Sequence, residues 1–79
     1  MGYHKAIIPK GELGSIDKVK EEVLEFEDAL EQGCVILQTC ELADIYGALE
    51  ALAGGYGLLM MDLKLMSDLT KSAFKDGTR

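Results

Sequence analysis

Apolar residues return at helical intervals once the chain passes its first glycines. Ile16, Val19, Val23, Phe26 and Leu30 follow one another at spacings of 3, 4, 3 and 4, which lays one apolar stripe along an α-helix. Ser15 stands ahead of the stripe as an N-cap, and Asp17 falls in the first turn, where its charge suits the helix dipole. Gln32-Gly33 closes the pattern, with Gly33 as the left-handed residue past the end. From Val35 to Ala53 the pattern changes: apolar positions run almost without a break until Gly54-Gly55. A helix that is apolar all round is a buried one, so this second helix is predicted to be the central element, covered by neighbours on every side. A third helix is predicted from about Leu59 to Phe74, ending before Gly77. Leu59, Leu63, Met66, Leu69 and Ala73 form its stripe, and Lys64, Lys71 and Lys75 share the opposite side with Asp68.

Residues 1–14 form an irregular N-terminal arm, broken by Gly2, Pro9, Gly11 and Gly14. Ala6-Ile7-Ile8 is expected to pack down as an extended arm. His4, the only histidine, reads as a tail or satisfied surface residue rather than a catalytic one. The helical domain occupies 15–79, with no internal repeat and no low-complexity segment.

Composition adds a constraint on assembly. The chain has 79 residues, 48% of them hydrophobic, and a domain this short buries only about 60% of the surface its unfolded form exposes. Three short helices cannot hide that much apolar surface within one copy. Small domains answer the problem with disulfides, a metal or a partner subunit. Cys34 and Cys40 show no CxxC spacing and follow no secretory-type segment, so they read as half-buried reduced thiols. Six residues apart on a helix, they face different sides and cannot pair within it. Self-association remains. The expected fold is all-α, a short helical hairpin plus a third helix, oligomerising as a homodimer or homotetramer into a four-helix-type bundle.

Fourteen acidic residues stand against 8 basic ones, a formal net charge of −6. That balance speaks against nucleic-acid binding, which needs a basic footprint. It leaves nucleotides open, because a divalent cation inverts the local charge. Asp44, Glu50 and Gly54-Gly55 interrupt the most apolar stretch, Leu42 to Met61, so no run reaches the roughly 20 apolar residues of a membrane span. A cytoplasmic protein without membrane contact is expected.

The acids of the central helix carry the chemistry. Glu41 and Asp44, spaced i, i+3, share one face of a helix that is otherwise almost free of polar side chains. Two like charges in a poorly solvated place require a proton on one of them or a cation between them. Gly47, Ala48 and Ala51 are small enough to leave room for a ligand there. The first helix supplies a second i, i+3 pair, Glu22 and Glu25, among Glu21, Glu27 and Asp28. An antiparallel hairpin turning near Gly33 brings the two pairs to similar heights. Four carboxylates converging from two helices make an all-oxygen site, suited to Mg2+ or Mn2+ rather than zinc. The alternative is that these acids face solvent or pair with lysines of another helix.

Lys20-Glu21-Glu22-Val23-Leu24-Glu25, followed by Glu41-Leu42-Ala43-Asp44, resembles the ExxE…ExxD signature of the MazG-like all-α nucleoside-triphosphate pyrophosphohydrolase superfamily. The end of the chain, Met66 to Arg79, is similar to the tails of small, phage-type members, so the resemblance covers about residues 16–79. It implies dimers or dimers of dimers, with magnesium held by Glu22, Glu25, Glu41 and Asp44. It also implies hydrolysis of a nucleoside triphosphate to a nucleoside monophosphate and pyrophosphate. By the same resemblance Glu25, with Glu22, is a catalytic carboxylate that orients the attacking water. Lys64, Lys71 and Arg79 are the basic candidates for holding phosphate, and Tyr46, Tyr56 or Phe74 could stack on a base. Two readings stand beside this one: a non-catalytic helical dimeric adaptor whose acids are structural, and a nucleotide-binding regulator that has the site but no turnover.

Overall fold

The computed structural model describes residues 4–77. It contains three α-helices, α1 (Ile16–Gln32), α2 (Val35–Gly54) and α3 (Met60–Lys75), and no strand among the described residues. No helix among them is long and apolar enough to cross a membrane. The helix ends fall within one residue of where the sequence places them. Gly33 takes φ 69° and ψ 22° and returns its N–H to the Leu30 carbonyl, the left-handed stop that a residue with Cβ would adopt only at a cost. Cys34 is the extended residue that starts α2, so the hairpin turns over Gly33 and Cys34 alone. At α3 the Leu59 N–H donates to Asp62 Oδ2 at 2.8 Å, satisfying a donor the first turn leaves open.

Ser15 occupies the N-cap position of α1 but does not cap with its side chain: its hydroxyl donates to the Glu12 carbonyl at 2.6 Å. The arm before it runs back along the helix. Gly11 lies so close to α1 that a Cβ there would sit 2.3 Å from the carbonyl carbon of Asp17 and the nitrogen of Lys18. Gly11→Ala is therefore expected to push the arm off the helix and to destabilise the fold by about 1–3 kcal/mol, as overpacking against backbone does. Gly47→Ala, which meets nothing within 4 Å in the middle of α2, should instead stabilise by up to about 1 kcal/mol through helix propensity. Urea midpoints of the two variants check the contrast.

α1 packs on α2, and among the described residues this is the only helix pair in extensive contact. The described residues are unusual in what they bury. The apolar residues that are buried are Ala29, Ala48 and Ala53, and beside them lie Glu21, Glu22, Asp28 and Glu41. Glu21 and Asp28 are covered by the N-terminal arm, whose Gly11 and Lys5 N–H groups they accept, while Glu22 and Glu41 come together from the two helices. The apolar stripe of α1 turns outward, with Ile16, Val23 and Leu30 roughly half exposed. α2 is not covered on every side as its composition suggests. In a single chain its helical neighbour is α1, and Val35, Ile36, Leu42 and Tyr46 are exposed. Composition records that a face is to be covered, not which molecule covers it. α3 buries no residue at all. The radius of gyration is 15.0 Å, against about 12 Å for a compact chain of this length.

Candidate metal centre between the first two helices

The short turn sets α2 antiparallel to α1, so Glu41 and Asp44 return opposite Glu22 and Glu25. One carboxylate oxygen from each of Glu22, Glu41 and Asp44 can be chosen so that all three lie within 4.8 Å of one another. The same holds for Glu21, Glu22 and Glu25, and for the donor atoms of His4, Glu25 and Glu41. Glu22 and Glu41 are buried, whereas Asp44 is exposed, so the cluster has a closed base and an open mouth. The cleft above it measures ≈ 970 Å³, within the range of small-molecule sites.

The carboxylates are not equally satisfied. Glu21 is saturated: the Gly11 N–H donates to its Oε1 at 2.8 Å, and Lys18 and Lys10 approach its Oε2 at 3.2 and 3.5 Å. Burial alone would raise its pKa, but the Gly11 amide and the Lys18 charge outweigh that and hold it below its ordinary value. Glu22 is half satisfied, with Lys18 Nζ 3.0 Å from Oε1. Its Oε2, like Oε2 of Glu41, is buried without a hydrogen-bond partner. A buried charged oxygen left bare costs a large part of its hydration energy. Two of them at the same cluster mark the place where a cation fits. Glu25 carries the strain as a protonation shift: burial first, then the Glu22 and Glu41 charges, push its pKa to about 7.

His4 is the residue the sequence reading misplaced. It is not a surface tail; its side chain is 16% exposed and is wedged into the acids. Nδ1 lies 2.9 Å from Asp28 Oδ2, and Nε2 faces Glu41 Oε1 at 3.4 Å and Glu25 Oε1 at 3.8 Å. Burial lowers the imidazole pKa, but the Asp28 hydrogen bond and the Glu41 and Glu25 charges outweigh it, so His4 is held above 6.5. Asp28 also accepts the Lys5 and Ala6 backbone N–H groups at 3.1 and 3.3 Å and Gln32 Nε2 at 2.8 Å. These donors outweigh the effect of its burial and keep its pKa below the usual 3.8. The arm is thus fastened by polar bonds to two acids of α1, Asp28 near the arm's start and Glu21 near the arm's end, and Ile7 is fully exposed. A signal for this was present: Glu21, Glu25 and Asp28 recur at spacings of 4 and 3, an acidic stripe as regular as the apolar one. A buried acidic stripe calls for cations, and the arm offers His4 and Lys10.

Other sequence-derived candidates lie elsewhere. Lys64 and Lys71 are on α3, away from the cleft, and Lys64 pairs with Asp68 at 2.7 Å in an exposed i, i+4 bridge. Arg79 lies outside the described residues. Tyr46, Tyr56 and Phe74 are exposed, and none lines the cleft. The basic side chains on the cleft are Lys10 and Lys18. Cys34 and Cys40 are free and exposed rather than half-buried, and both line the same cleft. Comparison with protein-family models, with curated proteins and with solved structures gives no match.

The shifts give a stability profile with a definite sign. Glu25 has a native pKa of about 7, above its ordinary 4.5. Its contribution is therefore complete below pH 4.5 and lost as pH rises through 7; the raised pKa of His4 acts in the same direction. Glu21 and Asp28, held below their ordinary values of 4.5 and 3.8, contribute above those values and lose it as pH falls. In chelator, the melting temperature is expected to peak in the window between these sets, at about pH 5–6, and to fall towards pH 8. Thermal melts across that range, with and without a divalent cation, check this; the cation should flatten the alkaline fall because it replaces the proton.

Proposed function

We propose that this chain is a divalent-cation-dependent nucleoside-triphosphate pyrophosphohydrolase of the MazG-like kind, working as a homodimer or homotetramer. The carrying observation is the pair of buried, partnerless oxygens, Glu22 Oε2 and Glu41 Oε2, in a cluster that opens to solvent at Asp44. Glu22, Glu25, Glu41 and Asp44 would hold Mg2+, with Mn2+ as the close substitute, and that donor set suits a hard cation. When bound, the cation supplies neutralisation of the triphosphate and of the charge that grows on departing pyrophosphate.

The chain's own groups account for the rest. A water oxygen bonds to the α-phosphorus, the bond from that phosphorus to the α–β bridging oxygen breaks, and pyrophosphate leaves. The proton of the water passes to a carboxylate, and Glu25, to which the resemblance gives the part of orienting that water, is the candidate. Lys18 and Lys10 line the cleft and, on leaving their partners Glu21 and Glu22, would meet phosphate oxygens, a role the sequence resemblance assigned to lysines of α3 and to Arg79. Outward-facing apolar residues on all three helices support assembly with further copies.

Hydrolysis in water enriched in ¹⁸O tests the reaction. The proposal expects the label in the nucleoside monophosphate and none in the pyrophosphate. Label in inorganic phosphate or in pyrophosphate would place the attack at another phosphorus and overturn it. The adaptor reading separates by a simpler measurement: magnesium would then leave the melting temperature unchanged, whereas an ion bound only by the folded state raises it with occupancy.

A further inference from the structure

His4 does more in this geometry than fasten the arm. Asp28 can only accept hydrogen bonds as a carboxylate, so the Nδ1 atom it binds at 2.9 Å carries a proton. Asp28 is held in turn by Lys5 N–H, Ala6 N–H and Gln32 Nε2, which fixes the ring's orientation. In the neutral imidazole, Nε2 is then a lone pair, and it is aimed at two carboxylate oxygens, Glu41 Oε1 at 3.4 Å and Glu25 Oε1 at 3.8 Å. Three electron-rich atoms facing one another require a positive charge among them. Both separations are longer than the 2.7–2.9 Å or so of a charge-assisted N–H···O bond. They match the spacing of donor atoms around one small ion, since ligands about 2.1 Å from a shared centre lie roughly 3–4 Å apart. Independently, Oε2 of Glu41, a residue 5% exposed, is buried at the same cluster without a partner. A histidine whose far nitrogen is fixed by a carboxylate is the usual outer arrangement of a metal-bound imidazole.

We propose that His4 is a nitrogen ligand of this centre, joining Glu25 and Glu41, so that the site takes a transition-metal dication such as Mn2+ or Co2+ in preference to Mg2+. The inference rests on the cation-site reading above and names the ion that site selects. Oxygen-only donors leave magnesium competitive, whereas an imidazole favours the later first-row ions. The N-terminal arm then becomes part of the centre, and binding the ion tightens the arm against α1 and α2.

Calorimetric titration of the full chain, stripped by chelator, with Mn2+ and with Mg2+ tests this for the native protein, His4→Gln and Asp28→Asn. The native chain should bind Mn2+ more tightly than Mg2+. His4→Gln should weaken Mn2+ about 100-fold and leave Mg2+ within about threefold, and Asp28→Asn should weaken Mn2+ about 10-fold with His4 still in place. Loaded with Co2+, the native chain should show a strongly shifted, exchangeable imidazole N–H proton that His4→Gln lacks. Equal Mn2+ affinity in native and His4→Gln protein, without that proton, would overturn the role of His4 and leave the carboxylate site standing. No binding of either ion by the native chain would overturn both. Circular dichroism of each variant confirms that the helices are intact.

Discussion

Glu41→Gln and Asp44→Asn are expected to abolish magnesium-dependent pyrophosphate release while leaving the helices in place. Glu41 is the buried floor of the cluster, with one oxygen bare, and Asp44 is its exposed rim. Each substitution is nearly isosteric and removes one negative charge from the set facing the cation. A cation that stabilises transition-state charge by several kcal/mol cannot do so when loosely held, so the loss should be on the order of a thousandfold or more in kcat/KM. The two variants should differ in stability. Glu41 faces Glu25 in the buried part of the cluster and helps push its pKa up. Glu41→Gln should therefore raise the melting temperature of chelator-treated protein at pH 8, while Asp44→Asn should change it little. Steady-state assays beside thermal melts read both effects. Native turnover in a clean preparation of Glu41→Gln would remove that residue from the site.

The second large effect concerns assembly. A hairpin that buries acids and alanines and turns its larger apolar side chains outward is inside out as a monomer. Ile16, Leu30, Val35, Ile36, Leu42 and Tyr46 are exposed in the single chain, and a second copy would cover such side chains. The melting temperature is expected to rise with protein concentration, as it must when association stabilises the fold, and sedimentation should give a dimer or tetramer. Leu42→Glu makes the test sharp. Leu42 is 54% exposed in one chain, and a surface substitution on a monomer would shift stability by only about 0.5 kcal/mol either way. Against a second copy the same change buries an unpaired charge, and the expected result is a dissociated, largely unfolded chain. A concentration-independent melt and a well-folded monomeric Leu42→Glu protein would contradict the assembly.

The helices were legible because their punctuation is local. The 3-and-4 spacing from Ile16 to Leu30, the left-handed Gly33 and the Gly54-Gly55 stop each act within a few residues. The facing of Glu22 with Glu41 and Asp44 was also open to inference, since a turn midway between two i, i+3 pairs on antiparallel helices brings them level. His4 was legible only in part: the acidic stripe calls for cations from the arm, but nothing periodic ties residue 4 to residue 28. Its position depends on Asp28 collecting donors from an irregular arm, which is a tertiary event. The α3 lysines fail as cleft residues for the related reason that helix spacing says which residues share a side and nothing of what that side meets. The apolar stripes misled in one respect. They are real, but within a single chain they point away from the interior, because the acidic stripe Glu21, Glu25 and Asp28 takes the inward face, where Lys10 and Lys18 meet Glu21 and His4 meets Glu25 and Asp28.

The most direct measurement is pyrophosphate release by the native chain from a panel of ribo- and deoxyribonucleoside triphosphates, with Mg2+, with Mn2+ and with chelator. Pyrophosphate and the matching monophosphate are expected in equal amounts from one or a few of them, only when the cation is present. No release from any member of the panel, by protein whose melting temperature the cation does raise, would contradict catalysis at these carboxylates.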